Sequence, residues 1–210
     1  MADLPVDLPA GLSERLGSVL DIEGKIPRAL DALGQLAGRD VALVDPAGGA
    51  MAARLESLGA RVRPAAPDGV RPYGLGGDAV DALVACWSAF RGVDHDEQSE
   101  ADRVLRPGGR LLVLHDYGRD DVSRLHAGAP ERPEFGEWSR RDGPFLANGF
   151  KVHVVHCWWT FDTVEVARAF LVEAFGDPGR ALAADLRRAR LSYNVAIYHR
   201  TLGEPEAANR

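Results

Sequence analysis

The chain has 210 residues, 46% of them apolar, enough for one substantial hydrophobic core and for one domain. A formal charge of −6, from 31 acidic against 25 basic residues, argues against a nucleic-acid or anionic-membrane binder. Lys25 and Lys151 are the only lysines, so the basic residues are nearly all arginine, a compositional bias without functional content.

Cys86 and Cys157 sit in apolar surroundings, "LVACWSAF" and "VVHCWWTF", with no partner at metal-ligand spacing. They read as buried thiols of a reducing compartment. The N-terminus lacks a basic start followed by an apolar run, and no stretch approaches the roughly 20 apolar residues of a membrane span. A soluble, cytoplasmic protein is expected.

In chain order, residues 1–10 read as a flexible arm. Leu12, Leu16, Val19 and Leu20 share one helical face, with Ser13 placed to cap. Pro27 opens a second helix, "IPRALDALGQL", ending near Gly38. "DVALVD" (40–45) is a short apolar run that fits a strand buried on both faces. "GAMAARLESLGA" is helical with Gly59 as its stop, "RVRPAA" is a weak second strand, and the proline- and glycine-rich 64–77 is loop.

"AVDALVACWSAF" begins with a strand ending near Cys86. "DEQSEADRVL" is an amphipathic helix closed by "RPGG", and "RLLVLHDY" is another buried strand. "PEFGEWSRRDGPFLANG" (133–149) is expected to be one helix. "FKVHVVHCWWTF" is a long strand, followed by two helices separated by "DPG" and the last strand, "SYNVAIYHRTL". The pattern gives one domain over 11–202, with a helical insertion at 163–190 and a disordered tail at 203–210.

Alternating strands and helices point to a doubly wound α/β sheet, whose ligand crevice lies outside the carboxyl ends of its central strands. That places Asp45, the Cys86–Trp87–Ser88 run and the His115–Asp116–Tyr117 run at the crevice.

"EADRVLRPGGRLLVLHDYG" (100–118) resembles the class I S-adenosylmethionine-dependent methyltransferases, in which a helix ending in a similar PGG turn leads into the fifth strand. "VDALVACWSAF" is similar to the family's fourth strand and following loop, "LGARV" to its entry to the second strand, and the order of these pieces agrees from about 28 to 116. The paired "GFKVHVVHCWWTF" and "YNVAIYHR" resemble the antiparallel strands that close the family's sheet. The resemblance implies a mostly parallel sheet with an antiparallel last strand, N-terminal helices, and S-adenosylmethionine as cofactor.

Against the family's cofactor site the chain departs in three places. The first two glycine positions of the turn after the first strand fall on Asp45 and Ala47, leaving Gly48 and Gly49, and the family's acidic strand residue falls on Leu43. Asp45 is a candidate for the cofactor's ammonium group; an ordinary Asp-Pro turn is the other reading. The ribose-binding acid position falls on Ala65 or Ala66, with Asp68 as the nearby carboxylate. The region after the second strand is too short for the family's next helix and strand, although Asp78 in "GGDA" retains a look of the adenine loop.

His115 is the candidate general base for methyl transfer, with Asp116 and Tyr117 beside it; a strand-end turn is the alternative. Cys86, Trp87 and Ser88 join the cofactor candidates, Trp87 as a stacking surface. No metal is expected, because His115, Asp116, Asp120 and Asp121 lack ligand spacing and His153, His156 and Cys157 cannot converge from one strand. "DLRRARL" reads as a solvated helix face.

Two functions follow: a methyltransferase acting on a small molecule, or a methyltransferase-fold protein serving as a non-catalytic binding or partner subunit. A nicotinamide-dependent oxidoreductase fits less well, since the loop lacks G-x-G-x-x-G. A homodimer is left open.

Overall fold

The apolar runs between turn signals form a single six-stranded sheet. In a computed structural model, which describes residues 8–45, 50–66, 72–87, 89–91, 93–126 and 135–203, the strands are β1 (Asp40–Val44), β2 (Arg61–Pro64), β3 (Val80–Cys86), β4 (Leu105–Asp116), β5 (Lys151–Thr160) and β6 (Arg190–Thr201). They stand in the order β2-β1-β3-β4-β6-β5. β1 pairs in parallel with β2 and β3, β3 with β4, and β6 runs antiparallel to both β4 and β5. Continuous burial of "VAL" in β1 and "ALVAC" in β3 reflects cover on both faces, the usual condition of parallel strands. β2 is the edge: four residues with two exposed arginines and a terminal proline, features that discourage further pairing.

The helices are α1 (Ala10–Val19), α2 (Lys25–Gly34), α3 (Ala50–Ser57), α4 (His95–Val104), α5 (Phe135–Trp138), α6 (Pro144–Ala147) and α7 (Val164–Asp185). Leu16 and Leu20, Ile26 and Leu30, Met51 and Leu55, and Phe170 and Leu171 bring α1, α2, α3 and α7 onto the sheet face formed by Leu43, Val84, Leu114 and Tyr193. Each buried leucine contributes about 2 kcal/mol, which a ten-residue helix needs because it is marginal alone. The opposite face, with Leu83, Leu111, Val113 and Tyr198, is covered by Val104 of α4, Trp138, Phe145 and Tyr73.

α1 starts at Ala10, before Ser13, so Ser13 lies inside the helix and not at its cap. α2 is capped instead by Asp21, whose carboxylate accepts from the Lys25 and Ile26 amides at 2.9 and 2.7 Å, and it ends at Gly34 because Gln35 turns left-handed. The PGG turn is confirmed in position but lies within β4: Leu105 pairs with Val80, the next paired residue is Arg110, and Gly108 takes φ +76 in the intervening bulge. Gly109 packs there with room for no Cβ, which would lie 2.7 Å from the Arg106 carbonyl.

The expected single helix at 133–149 is corrected to the two short turns α5 and α6. Gly143 is pressed against the carbonyls of Glu137, Arg140 and Trp138, and Pro144 starts α6 because it cannot continue a preceding helix. Between β5 and β6 lies α7, broken at Gly176 (φ +57, ψ −125) into two arms, the second of which stops at Asp185, short of the expected "LRRARL". From Pro72 to Ala79 the chain between β2 and β3 has neither helix nor strand; Tyr73 is buried in the core, and Leu75 and Ala79 pack against it. The expected arm and tail lie, apart from residues 8–10 and 203, outside the described residues. No described helix is long and apolar enough to cross a membrane.

Candidate functional site

The parallel register sets Val44 beside Ala85 and Ala85 beside Val113, so the carboxyl ends of β1, β3 and β4 meet at one edge of the sheet. There the structure brings together Asp45, Trp87 and Asp116. Trp87 ends β3 in a left-handed conformation (φ +56), with its amide donating to the Leu114 carbonyl at 2.8 Å. This turns the indole inward, where Nε1 donates to the Tyr193 hydroxyl at 3.0 Å. The Tyr193 hydroxyl in turn donates to Asp116 Oδ1. Trp87, Tyr193 and Asp116 are all buried, so the relay forms a dry polar floor beneath the crevice edge.

α1 lies over this floor. Ser13, Leu16, Gly17 and Leu20 face Asp45, Met51, Arg54 and Trp87 across a cavity of about 40 Å³, room for water. Arg54 of α3 ties the helix down: its guanidinium donates to the carbonyls of Gly17, Leu20 and Asp21 at 3.4, 3.2 and 3.4 Å. A cation there also complements the negative end of the α1 dipole.

Several expected site residues lie elsewhere. Asp78 precedes β3 and is exposed, with its amide on the Arg103 carbonyl at 3.0 Å; it stands at the amino edge of the sheet, opposite the edge that carries Asp45 and Trp87. Cys86 is fully buried in the sheet, and burial pushes its thiol well above its ordinary range. His115 and Asp116 point to opposite faces, as adjacent strand residues must. His115 is fully buried on the far face, its ring 4.8 Å from Trp138 and 6.0 Å from Phe145. It therefore faces away from the cavity under α1. Tyr117 packs on that same far face and has Arg119 5.8 Å above its ring. Gly48, Gly49, Asp68 and Ser88 lie outside the described residues.

The acidic run after β4 is structural. Asp120 accepts from the Ser123 amide at 2.8 Å and the Asn194 amide at 2.6 Å, and Asp121 accepts from the Ser192 amide and hydroxyl at 2.8 and 2.7 Å, fastening the loop to β6. On β5, Cys157 is buried and its thiol pushed up by burial, while His153 is exposed and His156 meets Asn194 Oδ1 at 2.7 Å through Nδ1. These three side chains do not converge.

Sequence reasoning missed Tyr193, Arg54 and the α1 cover. Tyr193 is one of many apolar positions in an alternating strand, and Arg54 is an ordinary charged residue of an amphipathic helix. Left-handed φ values at three non-glycine residues after β3, Trp87, Phe90 and Val93, mark the same edge as a strained loop. Glu97 of α4 holds that loop by accepting from the Phe90 amide at 2.7 Å, and partial burial raises its carboxyl above the ordinary carboxylate range.

A cofactor of the kind the resemblance implies would find partial complementarity. Half-buried Asp45 offers a carboxylate to an ammonium group at the end of β1. At the end of β2, where a ribose acid would stand, are Ala65 and Ala66. Among the described residues, a carboxylate stands at the end of β1 and none stands at the end of β2.

No protein-family model and no curated protein matches the chain. Solved structures do. A provisionally named type II methyltransferase from Anaeromyxobacter dehalogenans is 20% identical, with a TM-score of 0.51 over 93% of this chain and 97% of that one. A provisionally named methyltransferase from an antibiotic biosynthesis pathway of Anabaena variabilis is 17% identical, with a TM-score of 0.53 over 87% and 98%. At these identities the likeness establishes architecture, in agreement with the strand order above. The chain has the mostly parallel, antiparallel-ended fold of the class I S-adenosylmethionine-dependent methyltransferases.

Proposed function

We propose that the protein is an S-adenosylmethionine-dependent methyltransferase acting on a small molecule. The observation that carries this reading is the built polar edge at the carboxyl ends of β1, β3 and β4, with Asp45 at its mouth and the Trp87–Tyr193–Asp116 relay as its floor. Asp45, with Gly48 and Gly49 after it in the sequence, would hold the methionine end. The cofactor, when bound, supplies an electrophilic methyl group.

The chain's own contribution is positioning and exclusion of water. Asp116 acts as a positioning residue: through Tyr193 it fixes the indole of Trp87, which lines the cavity. α1 closes the substrate side, with Ser13 as the hydroxyl that faces it. Asp68 and Ser88 remain proposed cofactor contacts by position.

A second reading, a non-catalytic methyltransferase-fold subunit that binds a partner, is favoured by Ala65 and Ala66 at the ribose position and by the displacement of Asp78 to the opposite edge. Calorimetric titration with S-adenosylmethionine and S-adenosylhomocysteine separates the two. The first reading expects saturable binding, weakened about tenfold or more by Asp45→Asn. Absence of heat at millimolar ligand overturns it in favour of the second.

A further inference from the structure

α7 stops at Asp185, so the arginines of "DLRRARL" do not ride on a helix. Arg187 and Arg188 stand in the link to β6, and Arg190 begins that strand. With Arg124 from the 3₁₀ turn after β4 they line a cleft of about 200 Å³, walled on one side by Leu182 and Leu186. Two carboxylates reach it, and both are engaged: Asp185 pairs with Arg124 at 2.6 Å, and Asp121 holds Ser192. Arg187 and Arg188 make no ion pair among the described residues.

The negative end of α7 would repel an anion here, but it is already covered. Arg168 donates to the carbonyls of Ala183 and Leu186 at 3.2 and 2.8 Å. Arg190 is oriented by stacking 4.3 Å above the Trp158 ring. A chain of net charge −6 thus gathers three arginines within residues 187–190 around a concavity, against their mutual repulsion. Their planar forks match the geometry of phosphate and carboxylate oxygens.

We propose that this cleft binds a small, multiply charged oxyanion, a phosphate- or carboxylate-bearing molecule gripped by Arg187 and Arg188. Its volume lies below the roughly 300–1,000 Å³ of pockets for drug-sized ligands, which favours a compact anion over a nucleotide. The site stands on residues separate from the crevice under α1, so it does not rest on the methyltransferase reading.

The test is calorimetric titration of the full chain with sodium pyrophosphate and, separately, with citrate at fixed ionic strength. The expected result is saturable binding of at least one anion, the tighter one identifying phosphate or carboxylate as the recognised group. Arg187→Gln and Arg188→Gln should each weaken it, and the double variant by about tenfold or more. Both side chains are exposed, so the variants should unfold at the wild-type temperature without ligand. Arg180→Gln, at a residue that pairs with Asp177 at 3.5 Å and does not line the cleft, should bind as wild type. No saturable binding of either anion, or equal binding by the double variant, overturns the proposal.

Discussion

Tyr193 joins two buried hydrogen bonds, accepting from Trp87 and donating to Asp116. Replacing it with phenylalanine keeps the packing but removes a partner from a buried indole N–H and from a buried carboxylate. Tyr193→Phe is expected to cost about 1–3 kcal/mol of stability in urea unfolding, and a loss below about 0.5 kcal/mol would mean that the relay is not coupled. The residue scale is also where sequence reading divided most clearly. Asp45, Trp87 and Asp116 were legible because strand ends in a doubly wound sheet meet at one edge. His115 was not: a period of two says that it and Asp116 face opposite ways, without saying which face carries the crevice. Asp78 is a different case. Its "GGDA" setting looks like an adenine loop, yet it stands directly before the amino end of β3, at the edge opposite Asp45.

At the scale of elements, every strand was legible, since apolar runs bounded by glycine, proline and polar turns have few alternatives. The stretch 133–149 was not, because its breaking point depends on Gly143 packing against three carbonyls, a tertiary fact. The placement of α1 is likewise tertiary. Its amphipathic pattern announced a helix, but the partner that seats it is Arg54, from a helix more than thirty residues later in the chain. Arg54→Ala removes the donors to the Gly17, Leu20 and Asp21 carbonyls while Leu16 and Leu20 stay buried. The expected outcome is local loosening: about tenfold faster hydrogen exchange in α1, with the amides of β3 and β4 unchanged. Equal loosening throughout would instead assign Arg54 to global stability, and no change would mean that apolar packing alone seats α1.

Across the whole molecule the two edges of the sheet divide the work. The carboxyl edge carries the strained loop, the relay and the α1 cover, whereas the amino edge is fastened by ions. Asp40 at the start of β1 pairs with Arg61 of β2 at 2.8 Å and with Arg106 of β4 at 2.9 Å, while Arg106 also reaches Asp81 of β3 at 3.0 Å. Four strands are thus tied at their beginnings. Hydrogen bonds from Arg61 and Arg106 lower the Asp40 carboxyl from an ordinary 3.8 to about 2. The folded state therefore favours the charged carboxylate. The stability it contributes is fully present above pH 3.8 and is lost as pH falls through about 2. Asp40→Asn should be less stable than wild type by a constant amount at higher pH, and the gap should close between pH 3.8 and about 2, as followed by acid titration of the unfolding midpoint. Added salt should narrow the gap at neutral pH, because these side chains are partly exposed and screened. A gap that persists unchanged at pH 2 would show that the Asp40 contribution comes from packing and not from its charge. Because the cluster lies at the opposite edge from Asp45 and Trp87, the same substitution should leave ligand binding at the crevice as it is in the wild type.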